Sequence, residues 1–240
     1  MSESKPRLSD SAGEPSILKR EFIWLHLTKC GGNSMKSALS PHYVQTNRRD
    51  PLPFIALPKS HWNDTLNNYR IHLGAYDFKR MLFAQKFLYS TEEFEQRFKF
   101  VVVRNPYDRL VSAWKYLMVG ARARTPRGLL MKWSFERFLS EIPSFWQSKG
   151  LRDLATHTAP IWDDITDEEG NLLVDFIGKL ERIEEDFAII RDELGLHDKK
   201  FPRRNVNREE HSYRKHYNTK TRNLVERLYA DDIENLRYEF

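Results

Sequence analysis

Cysteine is nearly absent from this 240-residue chain: Cys30 stands alone, so no intramolecular disulfide can form and a disulfide-stapled secreted scaffold is excluded. No apolar run approaches the ~18–20 residues that a membrane-spanning helix requires. Met1 to Glu14 is polar and lacks the apolar stretch of a signal peptide. The expectation is a cytoplasmic protein with no integral membrane segment. Charge of one sign is also scarce: 39 Lys+Arg against 34 Asp+Glu leave +5 with histidine neutral. So small an excess suits a compact anionic ligand better than a nucleic-acid track, and no nucleic-acid partner is expected. The histidines show no His-Glu-x-x-His spacing, and one cysteine cannot build a thiolate zinc site, so no metal is expected.

What is present is enough for a folded core. Hydrophobic residues make up 40% of the chain and aromatics 13%, which rules out wholesale disorder. Residues 1–20 read as a flexible N-terminal arm and residues 21–240 as a single domain. Phe22-Ile23-Trp24-Leu25-His26-Leu27 is a short apolar run ending towards Gly31-Gly32, the pattern of a buried parallel strand. Asn33 or Ser34 is placed to cap a short helix that Pro41 ends. Arg48 to Pro58 and His61 read as loop, and Ile71-His72-Leu73-Gly74 as a second strand. Thr91 opens a helix to Arg97.

Phe100-Val101-Val102-Val103 is the clearest strand. Asn105 caps the helix after it, with Pro106 at the first helical position and Asp108 at the third. Tyr107, Leu110, Val111, Trp114, Leu117 and Met118 then recur at helical spacing. Ser134 caps a helix through Leu139, and Leu172 to Ile177 reads as a third strand closed by Gly178. Glu181 to Leu194 is helical with Gly195 as its stop, and two helices close the chain. Strands alternating with helices predict an α/β fold: a P-loop-like, mostly parallel central sheet flanked by helices in three αβα layers. Ligands of such sheets bind beyond the carboxyl ends of the strands.

Two motifs fall at that edge. In Thr28-Lys29-Cys30-Gly31-Gly32-Asn33-Ser34, the glycines let backbone approach a ligand, helix-start amides form an anion cradle, and Lys29 adds a full charge. It is not a Walker A loop, because the lysine precedes the glycines and no Ser/Thr follows it at the metal-binding position. The plainer alternative is an ordinary strand–helix turn. In Val103-Arg104-Asn105-Pro106-Tyr107-Asp108-Arg109-Leu110-Val111-Ser112, Ser112 lies about two helical turns past the cap and can converge with Arg104 on one anion. The plainer alternative here is Arg104 pairing a carboxylate while Ser112 packs against the sheet. Together the motifs suggest two anion sites, one at each end of a single nucleotide.

At these residues the chain resembles the carbohydrate sulfotransferases that use 3′-phosphoadenosine 5′-phosphosulfate (PAPS), a Golgi-type and bacterial group similar to family 2. Thr28-Lys29-Cys30-Gly31-Gly32-Asn33-Ser34-Met35 is similar to the family's 5′-phosphosulfate loop, with Thr28 for its proline, Cys30 for its first threonine and Asn33 for a later one. Arg104 to Ser112 resembles its 3′-phosphate motif almost letter for letter. Asp175-Phe176-Ile177-Gly178-Lys179-Leu180-Glu181 and the C-terminal Tyr229 to Phe240 resemble two further segments, so the likeness runs in patches from Phe22 to Phe240.

The resemblance implies in-line transfer of a sulfuryl group from PAPS to a hydroxyl or amine of a carbohydrate or glycoconjugate, without a metal. It implies that Lys29 stabilises the leaving phosphate and that Cys30, Gly31, Gly32, Asn33, Ser34 and Met35 line its cradle. Arg104 and Ser112 would hold the 3′-phosphate, and one basic residue among Arg203, Arg204 and Arg208, with Arg208 preferred, would close over the nucleotide. A general base is needed near the donor sulfur. His72 is the first candidate, in a stretch where relatives often carry His-Gly-His, and His157 in His157-Thr158-Ala159-Pro160 is the second, with His61 weaker. Arg122, Arg124 and Arg127 either attract an anionic acceptor such as an acidic sugar or simply face solvent. The competing readings are an ATP-dependent P-loop-like kinase, a non-catalytic polyanion or RNA-binding module, and a degenerate sulfotransferase that binds nucleotide without turnover.

Overall fold

The computed structural model describes residues 17–46, 52–119, 133–202 and 212–240. Three parallel strands form its sheet in the order β1-β2-β3: β1 is Phe22–Leu25, β2 is Phe98–Val103 and β3 is Phe176–Lys179. Phe22 pairs with Phe98 and Leu25 with Val101, while Phe100 pairs with Phe176 and Val103 with Lys179. β2 is central, and all six of its residues are buried. That is why its sequence is a nearly unbroken apolar run rather than an alternation.

Alternation still decides which layer each residue joins. Ile23, Leu25, Val101 and Val103 pack with Leu66, Met81, Leu82 and Ile161 on one face. Trp24, Phe98, Phe100 and Val102 pack with Met35, Leu39, Phe187, Ile190 and Leu194 on the other. Helix α1 (Gly32–Leu39) and the helix Ile183–Leu194 cover that second face, and helices α2 (Lys59–Leu66) and α3 (Arg80–Phe83) contribute to the first. The result is the three-layer α/β arrangement expected. Each fully buried aliphatic or aromatic side chain contributes roughly 1.5–3 kcal/mol to it. A third apolar cluster gathers Tyr107, Leu110, Val111, Phe138, Phe145 and Tyr229 beside the sheet.

Several local expectations hold. Helix α4 (Thr91–Gln96) forms, and α5 (Pro106–Trp114) starts where expected, with Asn105 Oδ1 accepting from the Tyr107 amide at 3.0 Å. Gly195 stops the helix Ile183–Leu194 at φ 74°, a left-handed conformation that costs glycine nothing.

Others are corrected. Helix α1 is capped by neither Asn33 nor Ser34 but by Gly31 at φ 79°, and α4 by Ser90, whose hydroxyl and Glu93 form a reciprocal capping box. His61 lies inside α2 rather than in a loop. Ile71 to Gly74 is a turn, not a strand, leading into a short 3-10 turn, Gly74–Tyr76. The Leu73 amide donates to Asp77 Oδ1 at 2.6 Å and Gly74 takes φ 63°, so the backbone folds back instead of extending. The third strand begins at Phe176, not Leu172, and Gly178 lies within it. Leu172 makes only an isolated antiparallel bridge to Thr166, because Asp167 draws the intervening backbone into a turn through the Glu169 and Asn171 amides.

Candidate functional site

The three strands end at one edge, and the loops leaving them touch there. After β1, Lys29 adopts φ 66° and Gly31 φ 79°. After β2, Arg104 reaches back and its Nη1 donates to the Lys29 carbonyl at 3.2 Å. After β3, the Leu180–Arg182 turn presents Glu181, whose Oε1 accepts from the Asn105 amide at 2.7 Å. A Cβ on Gly31 would lie 2.8 Å from Leu180 Cδ1, so Leu180 would have to shift, and the φ of 79° itself favours glycine there.

The loop 28–31 is braced from below. The Thr28 hydroxyl donates to the Thr156 carbonyl at 2.9 Å. Buried Arg109 donates from Nε to the Thr28 carbonyl at 3.2 Å and from Nη1 to the Ala159 carbonyl at 2.8 Å. Gly32 opens α1 against the His26 imidazole; a Cβ there would sit 1.7 Å from His26 Nε2. Ser34 and Met35 amides donate to the Gly31 carbonyl, so the amides of Gly32 and Asn33 are the ones that precede the intrahelical ladder. With the positive end of the helix dipole, they form the anion-favouring part of the turn.

Side chains divide sharply within this motif. Cys30 and Met35 are buried in apolar clusters, so their side chains do not line the edge. Burial pushes the Cys30 thiol up to about 11, which leaves it protonated and a poor nucleophile. Ser34 is buried and Asn33 exposed. Lys29 holds its ammonium 4.3 Å above the Tyr116 ring. Burial, and next the neighbouring Arg104 charge, hold the Lys29 pKa below the usual lysine range, against a smaller opposing influence of Cys30.

Arg104 is 15% exposed and donates from Nε and Nη2 to Asp108 Oδ2 at 2.9 and 2.7 Å. Its guanidinium therefore has a carboxylate partner, and its bonds run to Asp108 and Lys29 rather than to Ser112. Ser112 lies partly buried two turns along α5.

The two histidine candidates sit near opposite ends of one helix, Arg152–Thr158. His72 is 60% exposed, and its Nδ1 lies 3.0 Å from Arg152 Nη1 and 3.5 Å from Asp77 Oδ2. A guanidinium only donates, so Nδ1 accepts and the proton of neutral His72 resides on Nε2. Arg152 also clamps Asp77 through both carboxylate oxygens and donates to the Tyr69 and Ile71 carbonyls. Burial alone would raise the Asp77 pKa, but the bonds from Arg152 and the Leu73 amide outweigh it and leave the carboxyl below its usual range. His157 has the opposite arrangement. Its Nδ1 lies 2.7 Å from the Asp153 carbonyl, which only accepts, so the proton is on Nδ1 and the lone pair on Nε2. Its ring stacks on Tyr116 at 5.1 Å and 24°, the same ring that the Lys29 ammonium meets.

Lys29, Gly31, Gly32, Asn33 and Arg104 thus come together, with His157 joined to them through Tyr116, while His72 belongs to the Arg152–Asp77 clamp. Arg208 lies outside the described residues, as do Arg122, Arg124, Arg127, Arg203, Arg204, Asn205 and Asn207. The Asp175–Glu181 segment supplies braces: Asp175 Oδ2 accepts from the Lys99 amide at 2.8 Å, and Glu181 holds Asn105 and Tyr238. The indoles of Trp62, Trp114 and Trp146 each donate to a protein oxygen and serve packing. Sequence reasoning missed Tyr116, Arg109 and Arg152. Arg109 had a signal in its place within the second motif; Arg152 and Tyr116 had none. Among the described residues no cluster of three or more His, Cys, Asp or Glu is placed to hold a metal ion, and no helix is long and apolar enough to cross a membrane.

Compared with known proteins, the chain is matched over residues 18–239 by a model described as the sulfotransferase family. No curated protein and no solved structure matches it.

Proposed function

This chain belongs to the sulfotransferase family, family 2, and from that premise we propose that it moves a sulfuryl group from PAPS to a hydroxyl or amine of a carbohydrate or glycoconjugate acceptor. The observation that carries the donor reading is the meeting of Lys29, the glycine turn and Arg104 at the carboxyl edge of a parallel sheet, with Arg104 Nη1 3.2 Å from the Lys29 carbonyl. Gly32 stands where a Cβ would collide with His26 and Gly31 takes a left-handed φ that favours glycine, so backbone is what this turn offers to a ligand.

In this reading the amides of Gly32 and Asn33 hold the 5′-phosphate, and the Lys29 ammonium stabilises the charge that develops on it as the sulfur–oxygen bond breaks. Arg104, oriented by Asp108, meets the 3′-phosphate together with Ser112. The acceptor oxygen or nitrogen attacks sulfur in line and loses its proton to a general base. We assign that base to His157 rather than His72. His157 has its lone pair on Nε2 and its ring stacks on Tyr116, the ring that also meets Lys29, whereas the Nδ1 lone pair of His72 is engaged by Arg152. His72, with its proton on Nε2, is suited to donate a hydrogen bond to the acceptor.

Calorimetric titration with adenosine 3′,5′-bisphosphate tests the donor site, with AMP and with ATP plus Mg²⁺ as parallels. Tight bisphosphate binding without metal is expected, and Arg104→Ala is expected to bring the bisphosphate and AMP affinities together. Binding of ATP with Mg²⁺ alone would favour the kinase reading. A strong bisphosphate preference surviving in Arg104→Ala would remove Arg104 from the 3′-phosphate.

A further inference from the structure

We propose that Tyr116 is a positioning residue that holds the Lys29 ammonium at the mouth of the glycine turn and keeps it in register with His157. The inference rests on the donor-site reading above for its functional meaning, though not for the contact itself.

Three observations converge on Tyr116. It lies in a π-helical turn, Lys115–Val119, that continues α5 immediately beyond Ser112 and Trp114. A π turn re-aims the side chains that follow it, and such turns recur at functional sites. Next, Tyr116 is 36% exposed and belongs to none of the three apolar clusters, so core packing does not explain an aromatic residue there. Finally, its ring meets two titratable side chains from two other elements: Lys29 Nζ at 4.3 Å from the centroid, and the His157 ring at 5.1 Å.

The physical case follows from what Lys29 must do. A lysine is a point charge on a flexible four-carbon stem, and freezing that stem opposes any contact it makes. The left-handed backbone of Lys29 sets the direction of the stem but not the place of its tip. The face of an aromatic ring attracts an ammonium, more strongly where water is thinned out. Lys29 is partly buried and feels Arg104 as a like charge, so the ring supplies an attraction that opposes both burial and that repulsion. The same ring stacks against the imidazole we assign as base. One side chain therefore sets the spacing between the group that stabilises the leaving phosphate and the group that takes the acceptor proton.

The test is a double-mutant cycle read by calorimetric binding of adenosine 3′,5′-bisphosphate, joined to an NMR titration of the Lys29 ammonium. Tyr116→Leu keeps bulk and removes the π face; it is expected to weaken bisphosphate binding about three- to tenfold. Tyr116→Phe keeps the face and is expected to bind within about twofold of wild type. In a Lys29→Ala background, Tyr116→Leu is expected to cost nothing further, since the two residues act as a unit. Tyr116→Leu is also expected to move the Lys29 titration to lower pH, because loss of the ring disfavours the charged form. Arg104 and Cys30, the groups whose charge bears on Lys29, stay in place in that variant. Additive losses, or a Phe variant as weak as the Leu variant, would overturn the proposal. If the wild type fails to bind the bisphosphate, the donor reading falls; an unmoved Lys29 titration in Tyr116→Leu then overturns the Tyr116 contact as well, and a shifted one upholds it.

Discussion

At the scale of single residues, hydrogen-bond chemistry separates two histidines that composition leaves equivalent. His72 faces a donor, Arg152, and His157 faces an acceptor, the Asp153 carbonyl, and each partner dictates which ring nitrogen keeps its lone pair. The consequence for kinetics is specific. His157→Ala is expected to lower kcat of sulfuryl transfer by about 10²–10⁴-fold while leaving affinity for adenosine 3′,5′-bisphosphate near wild type. His72→Ala is expected to act mainly on the acceptor KM. Steady-state kinetics of both variants, with bisphosphate titrations alongside, measures this, and a lost kcat in His72→Ala with turnover retained in His157→Ala would reverse the assignment.

At the scale of elements, the turn between β1 and α1 is decided by what it must avoid. Gly31 and Gly32 sit against Leu180 and His26, and the His26 ring is itself stacked on Trp24 at 5.2 Å with its amide held by Asn67 Oδ1. The imidazole is thus poorly placed to retreat. Gly32→Ala is expected to cost about 1–3 kcal/mol of stability through overpacking and to weaken bisphosphate binding by displacing the first turn of α1. Gly74 provides the contrast: unlike Gly32 it has positive φ, at 63°, and a Cβ there meets nothing within 4 Å. Gly74→Ala is expected to cost only its backbone conformation, about 1 kcal/mol, and to leave binding unchanged. Thermal melts and bisphosphate titrations of the pair decide it; equal losses in the two variants would remove His26 from the account.

At the scale of the whole molecule, buried carboxylates tie distant segments together. Asp232 accepts from the Ile161 and Trp162 amides, and Asp164 accepts from the Arg80 amide. Burial pushes each carboxyl up to about 6, against nearby arginines that pull it down. The folded state therefore keeps protons that the unfolded chain releases near its ordinary carboxylate pKa of about 4. With more protons bound in the folded state, this contribution is full below about pH 4 and is lost as pH rises through about 6. Asp164→Asn mimics the protonated form. Its Tm relative to wild type is expected to rise between about pH 4 and pH 7, and a difference that does not change with pH would show that Asp164 titrates normally.

The second motif was the most legible part of the chain, because its elements are local: a nearly unbroken apolar run makes β2, and Asn105 and Pro106 start α5 with their own side chain and ring. The Gly195 stop was legible for the same reason. The His72 turn and the start of β3 were not, since Asp77 and Asp167 capture amides that an extended segment would have offered to a neighbour. By itself the sequence determined the fold class and the glycine turn, which follow from local patterning, and the family, through the resemblance of its motifs. Only the tertiary structure decided that Arg104 reaches the Lys29 carbonyl, that Cys30 and Met35 turn into the core, and that Tyr116 joins Lys29 to His157. Those contacts join side chains through folding back of the chain, and for Lys29, Tyr116 and His157 through three separate elements, and no local pattern encodes which side chains will meet there.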